Sequence, residues 1–160
     1  VKRHLYTTHL QWTGNDGAGT ADYRSYRRDH VVGGAGKSPI AASSDPAFRG
    51  DPARHNPEEM LVGSLSSCHM LWYLHLCAVG GIVVTHYCDD AAGYMDEAAD
   101  GGGAFVQVTL RPTVTIAEGS DAVRAHALHE EAHRFCFIAR SVNFPVEIEP
   151  TIKVTRSEGE

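Results

Sequence analysis

The segment Asn56-Pro57-Glu58-Glu59 and the apolar run behind it constrain this chain more than any other stretch. Asn is a good N-cap. Pro suits the first helical position, where its missing N–H is no loss, and two acids favour the positive end of the helix dipole. A helix opening at Pro57 is expected to run to about Val79, where Gly80-Gly81 stops it. Met60, Leu61, Val62, Leu65, Met70, Leu71, Trp72, Leu74, Leu76 and Val79 make it apolar nearly all round. Such a helix is expected to be buried rather than amphipathic, with the remaining elements packed on it.

Those elements can be read on either side. Residues 3–13 suit a first strand, GNDGAG at 14–19 a turn, and 20–32 a second strand broken by Gly33-Gly34. Residues 37–56, with Pro39, Pro46 and Pro52, are expected to form a long ordered loop. Beyond the helix, 82–95 and 104–116 look like a strand pair joined by the acidic, Gly-rich segment 96–103. Ser120-Asp121 opens a second helix reaching about Ala139, and 146–154 is a last, alternating strand interrupted by Pro150. The fold class is α+β, expected as a single domain over 1–160.

Composition removes several functions. A chain of 160 residues can bury a core without staples. Its net charge of −6 and the lack of a Lys/Arg cluster argue against nucleic acid; the short run Arg24, Arg27, Arg28 has Asp22 and Asp29 beside it. No apolar stretch reaches the roughly 18 residues of a membrane span. The first residues, Val1-Lys2-Arg3-His4-Leu5, lack the apolar core of an export signal, so a reducing cytoplasmic location is expected. There, four cysteines are expected to be free, catalytic or metal-bound rather than a disulfide framework.

The cysteines and histidines carry the possible chemistry. Cys68 stands mid-helix between Ser67 and His69, sharing a face with Leu61, Ser64, Leu71, Trp72, His75 and Val79. A packed core thiol is one reading of it. On the second helix, Val123, Leu128, Ala132, Phe135 and Ala139 form the apolar face, with Cys136 at its edge. Beside it runs the stripe His126, His129, His133, Cys136. Two cysteines on two packed helices are a plausible dithiol pair. The stripe could instead hold zinc or copper. However, its ends lie about 15 Å apart along the axis, too far for one ion to take all four, and a solvated polar flank is the simpler reading. Cys77 and Cys88 read as structural.

With NPEE-Met60-Leu61 followed by Cys68, and Ala132-His133-Arg134-Phe135-Cys136 before a last strand, the chain resembles the OsmC/Ohr family of organic hydroperoxide reductases over nearly its whole length. The resemblance implies an OsmC-like fold and an intertwined homodimer with two sites at the subunit interface. Cys68 takes the peroxidatic place, Cys136 the resolving place and Glu58 that of an interface glutamate. Arg49 is the first choice for the thiolate-holding arginine, with Arg54 and Arg24 in reserve. The implied activity is reduction of organic hydroperoxides through a Cys68 sulfenic acid and a Cys68–Cys136 disulfide, which an external dithiol reduces, with no cofactor or metal. The chain departs from the family pattern in having Phe137-Ile138 after Cys136, where Cys-Pro is common, and His69 after Cys68. Glu58 and Cys68 are ten residues apart on one helix, about 15 Å of rise. Unless the helix breaks at Gly63, the Glu58 serving a given Cys68 belongs to the partner subunit. A metal-binding protein using the stripe and a non-catalytic ligand-binding dimer are the rival functions.

Overall fold

A computed structural model describes residues 1–156, whose contacts cluster into two compact units, Val1–Met60 and a larger one from Leu61 onward. The first holds an antiparallel sheet of three short strands, β1 (His9–Trp12), β2 (His30–Gly33) and β3 (Ile40–Ala42). The strand expected over 20–32 is confined to its end, because side chains capture the backbone before it. Asn15 Oδ1 accepts the N–H groups of Gly17 and Gly19 at 3.0 Å, and the Asp22 carboxylate accepts that of Arg24 at 2.7 Å. Arg27 pairs with Asp16 at 3.1 Å and with Asp29, while Arg28 lies 4.5 and 3.9 Å from the ring centres of Tyr23 and Tyr26. The stretch 37–56 is ordered as expected, but holds β3 and a 3-10 turn, Pro46–Phe48, capped by the Asp45 carboxylate.

Helix α1 (Pro57–Val79) begins and ends where the sequence places it. Asn56 Oδ1 accepts the Glu59 N–H at 2.8 Å and Glu59 Oε2 accepts the Asn56 N–H at 3.2 Å, a reciprocal capping box. At the other end Gly81 takes φ +73°, and the Ile82 N–H reaches back to the Cys77 carbonyl at 2.9 Å, closing a Schellman turn. The helix is not buried all round. One stripe at four-residue spacing, Leu65, His69, Tyr73 and Cys77, is inside, while Leu71 and Val79 are open.

The larger unit has two three-stranded sheets, β4-β7-β9 and β5-β6-β8, from β4 (Val84–Asp89), β5 (Ala92–Glu97), β6 (Gly103–Leu110), β7 (Pro112–Ile116), β8 (Val146–Ile148) and β9 (Thr151–Val154). Each of the three long strands expected from sequence is therefore broken in two, at 90–91, at 111 and at 149–150, and each crosses from one sheet to the other. Two of the breaks are tied together, since Asp89 accepts the Arg111 N–H at 2.6 Å and the Ser66 hydroxyl at 2.5 Å. The third falls at Pro150, which has no N–H for a ladder. β8 and β9 pair in parallel with β6 and β7. One core gathers Leu65, Val108 and Leu110; the other gathers Tyr73, Cys77, Val114 and Ile116 with Leu128 and Ala132 of α2 (Ala122–Phe135). The fold is α+β, with α1 contributing to both cores.

α2 starts at its Asp121 cap, as the sequence indicates, but stops at Phe135 rather than Ala139. Its buried face is Ala125, Leu128, His129 and Ala132; Val123 and Phe135, expected inside, are exposed.

Candidate active site

Ending α2 at Phe135 makes Cys136 the helix cap, with an extended backbone, and turns its side chain inward. Cys136 is 1% exposed, whereas Cys68 on α1 is only half-buried. Cys68 is the side chain that interacts with the Cys136 thiol, and all four cysteines are free. Burial pushes the Cys136 thiol up to about 11. The Ala139 N–H, 3.5 Å from Sγ, acts against this, and the neighbouring Cys68 adds to the rise. Cys136 therefore holds its proton while Cys68 is reachable, an asymmetry that suits a responder and an attacker.

Aromatic rings stand around this pair. Trp72, one helical turn beyond Cys68, stacks on Phe135 at 5.3 Å and meets Phe137 edge-on at 5.5 Å and His75 at 5.8 Å. A cavity of about 260 Å³ opens along Leu71, Trp72 and His75. Leu71 and Phe137 are 60% and 66% exposed, so the flank is open and apolar.

The histidine stripe is not the solvated flank expected of it. His126 is exposed, but His129 is buried, and its Nδ1 lies 3.0 Å from Nε2 of His69. The Tyr73 ring stacks on His129 at 3.8 Å, and its hydroxyl donates to the Ala125 carbonyl at 2.9 Å. Burial drives His69 down to about 4 and His129 to about 3, helped by His133 on the first and by His69 and His126 on the second. Both imidazoles are neutral at physiological pH. Among the described residues no group of three or more His, Cys, Asp or Glu is placed to hold a metal ion. The His69 bond takes one ring nitrogen of His129 and leaves its Nε2 without a hydrogen-bond partner among the described residues. The signal for His69 was available in the sequence as the spacing Leu65, His69, Tyr73, Cys77.

The other candidates fall in the first unit. Glu58 has a buried Oε2 with no hydrogen-bond partner among the described residues. Arg49, at φ +66° after the 3-10 turn, lies 5.9 Å from the Tyr23 ring centre. Arg54 is engaged at 3.8 Å by both Asp29 and Asp51, and donates to the His30 carbonyl at 3.4 Å. The Arg24 backbone N–H is held by Asp22. No helix among the described residues is long and apolar enough to cross a membrane.

Among solved structures, an OsmC-like protein of unknown function from Vibrio cholerae O1 biovar eltor is 32% identical, with 92% of this chain and 99% of that chain covered and a TM-score of 0.83. An organic hydroperoxide resistance protein from Elizabethkingia anophelis, crystallised with thiocyanate bound, is 18% identical over 96% of this chain and all of its own, with a TM-score of 0.66. A Legionella pneumophila protein described as organic hydroperoxide resistance protein OsmC is also 18% identical, covers 95% and 100%, and has a TM-score of 0.64. No curated protein matches the chain. The family model for OsmC-like protein matches residues 50–151, the stretch that holds both helices, strands β4 to β8 and both Cys68 and Cys136, and the chain belongs to that family.

Proposed function

We propose that this protein is a cysteine-based peroxidase that reduces organic hydroperoxides. The observation that carries the reading is the pairing of a reachable Cys68 with a buried, protonated Cys136 that interacts with it. The Cys68 thiolate attacks the peroxide oxygen, the O–O bond breaks, and the alkoxide takes up a proton to leave as alcohol. Cys136 then attacks the sulfur of the Cys68 sulfenic acid, the S–O bond breaks, and water leaves. Two thiols and one hydroperoxide thus become one disulfide, one alcohol and one water, and an external dithiol restores the pair. The apolar flank of Leu71, Trp72 and Phe137 favours an organic peroxide over hydrogen peroxide. The hydroperoxide resistance proteins of Elizabethkingia and Legionella share the fold, which agrees with this choice.

Arg49 holds the thiolate and Glu58 orients the arginine. A buried carboxylate oxygen without a partner needs such a cation, and a bidentate fork supplies it. α1 continues unbroken through Gly63, so Glu58 and Cys68 of one chain stay about 15 Å apart along the axis. Each site therefore draws its Glu58 from the partner of a homodimer, which also covers the open apolar flank.

Thiol titration before and after one equivalent of cumene hydroperoxide tests the reaction. Two thiols are lost per chain in the wild type. Cys136→Ser gives one stoichiometric turnover and a trappable sulfenic acid, and Cys68→Ser gives none. A Cys68→Ser protein that still consumes peroxide at the wild-type rate overturns the assignment.

A further inference from the structure

Closing a disulfide sets a narrow geometric demand. The two Cβ atoms must come to about 3.5–4.5 Å, and Cα atoms more than about 7 Å apart cannot be bridged without moving the backbone. Cys68 is held from inside a continuous helix. Cys136 is not. It caps α2 with φ −61° and ψ 112°, at a place where helices fray. Its N–H donates to the His133 carbonyl at 3.3 Å, and its carbonyl accepts the Arg140 N–H at 3.1 Å. Both partners belong to the same stretch of chain, so neither bond ties the cap to α1.

The tie comes from the residues on either side. In extended backbone, residues i−1 and i+1 project to one side and residue i to the other. Phe135 and Phe137 flank Cys136 in this way: the thiol is buried, and the two rings are 37% and 66% exposed. Both rings meet one side chain of α1. Trp72 stacks on Phe135, with ring centres 5.3 Å apart and planes 24° from parallel, and meets Phe137 edge-on at 5.5 Å and 71°. Both arrangements are favourable for aromatic pairs. The Arg134 guanidinium lies 5.1 Å from the Phe135 ring centre, but it comes from α2 itself and bridges nothing. Trp72 stands four residues after Cys68, about 6 Å along α1 and on nearly the same face. One face of α1 thus carries the side chain that interacts with Cys136 and, a turn later, the ring that holds the residues before and after it.

We propose that Trp72 is a positioning residue for disulfide closure, gripping both rings that flank Cys136 and so setting the Cys136 backbone against the helix that carries Cys68. This rests on the peroxidase reading above. Trp72 acts through Cys136 and not on the reacting atoms. The grip keeps the Cys136 sulfur within reach of the Cys68 sulfenic acid; the S–S bond forms, the S–O bond breaks, and the departing hydroxide takes the Cys136 proton to leave as water. Without the grip the cap swings away from α1 and the sulfenic acid waits. A second hydroperoxide then oxidises it to the sulfinic acid and departs as a second alcohol. Fast closure and protection against over-oxidation are therefore one property of the same three rings.

The test compares variants that delete a ring, Trp72→Leu and Phe137→Leu, with variants that keep one, Trp72→Phe and Phe137→Tyr. Phe137 is mostly exposed, so its variants keep the fold even where Trp72→Leu does not. After one equivalent of cumene hydroperoxide, sulfenic acid is followed by dimedone trapping and closure by thiol loss. Closure is first order in protein and independent of peroxide, so altered peroxide binding at the apolar flank does not enter its rate constant. Both leucine variants close at least about tenfold more slowly, since a misplacement of about 1 Å costs up to about a hundredfold. With excess peroxide they accumulate sulfinic acid, seen by mass, where the wild type gives disulfide. The ring-keeping variants close within about threefold of the wild type, because the aromatic contacts survive. Wild-type closure in a folded Phe137→Leu protein overturns the grip, and so does equal slowing in the ring-keeping variants. Glutathione exchange separates this outcome from the peroxidase reading. Cys136 closes the Cys68–glutathione mixed disulfide with release of glutathione, and this closure also slows about tenfold in the leucine variants. A wild type that forms no sulfenic acid removes the peroxidase reading, while equal closure of the mixed disulfide in the wild type and the leucine variants removes the grip.

Discussion

Arg49 sits at φ +66°, where a glycine is at ease and other side chains are strained, so Arg49→Gly removes the guanidinium without adding backbone cost. If it stabilises the Cys68 thiolate, the variant reacts with peroxide at least about tenfold more slowly at pH 7, as stopped-flow mixing reads directly. An unchanged rate moves the role to Arg54 or Arg24. The buried imidazoles give a second prediction, on stability. Their folded affinities, about 4 for His69 and about 3 for His129, lie below the unfolded value of 6.5. The unfolded chain therefore binds more protons through that window. Stability conferred by the neutral pair is fully present above about pH 6.5 and is lost as pH falls towards 4 and then 3. Each pH step of one is worth about 1.4 kcal/mol per group, so the fall for the two groups reaches about 5 kcal/mol by pH 4.5. Urea midpoints of the wild type drop over this range, while a His69→Gln/His129→Asn double variant shows a flatter profile. Parallel profiles refute the assignment of buried neutral rings.

The elements show how local chemistry and packing divide the work. α1 is bounded by its capping box and by Gly81, both local devices. Asn56→Ala removes the acceptor of the Glu59 N–H and is expected to cost about 1 kcal/mol, lowering the thermal midpoint by a few degrees for a chain of this size, as calorimetry would record. No shift means that the cap contributes nothing beyond the helix it starts. The strands behave differently. Their hydrophobic runs were visible, but the breaks at 90–91 and 111 were not, because Asp89, Arg111 and Ser66 meet only after folding. Pro150 was noted as an interruption and became the third crossing point. On α2, Val123 and Phe135 look apolar in sequence yet lie outside, while His129 looks polar and lies inside. Its burial depends on a partner sixty residues away, His69, which no window around the helix contains.

At the scale of the whole molecule, the proposed function makes a homodimer the unit of activity. Mixing Cys68→Ser with Glu58→Ala protein through unfolding and reassembly is expected to give heterodimers with one site carrying both lesions and one carrying neither. Such heterodimers regain about half of the wild-type activity per dimer, measured on species separated by a tag on one parent. Inactive heterodimers mean that Glu58 serves the Cys68 of its own chain. What the sequence determined alone is what nearest neighbours along the chain control: the start and stop of α1, the Asp121 cap of α2, the α+β alternation and the two motifs that contain Cys68 and Cys136. Those features depend on caps, turns and periodicity, which act over a few residues. Tertiary structure alone decided the sheet crossings, the burial of His129 against His69 and Tyr73, and the proton-holding state of Cys136. Each of these comes from desolvation and hydrogen bonding between segments far apart in sequence, and such terms exist only once packing has excluded water.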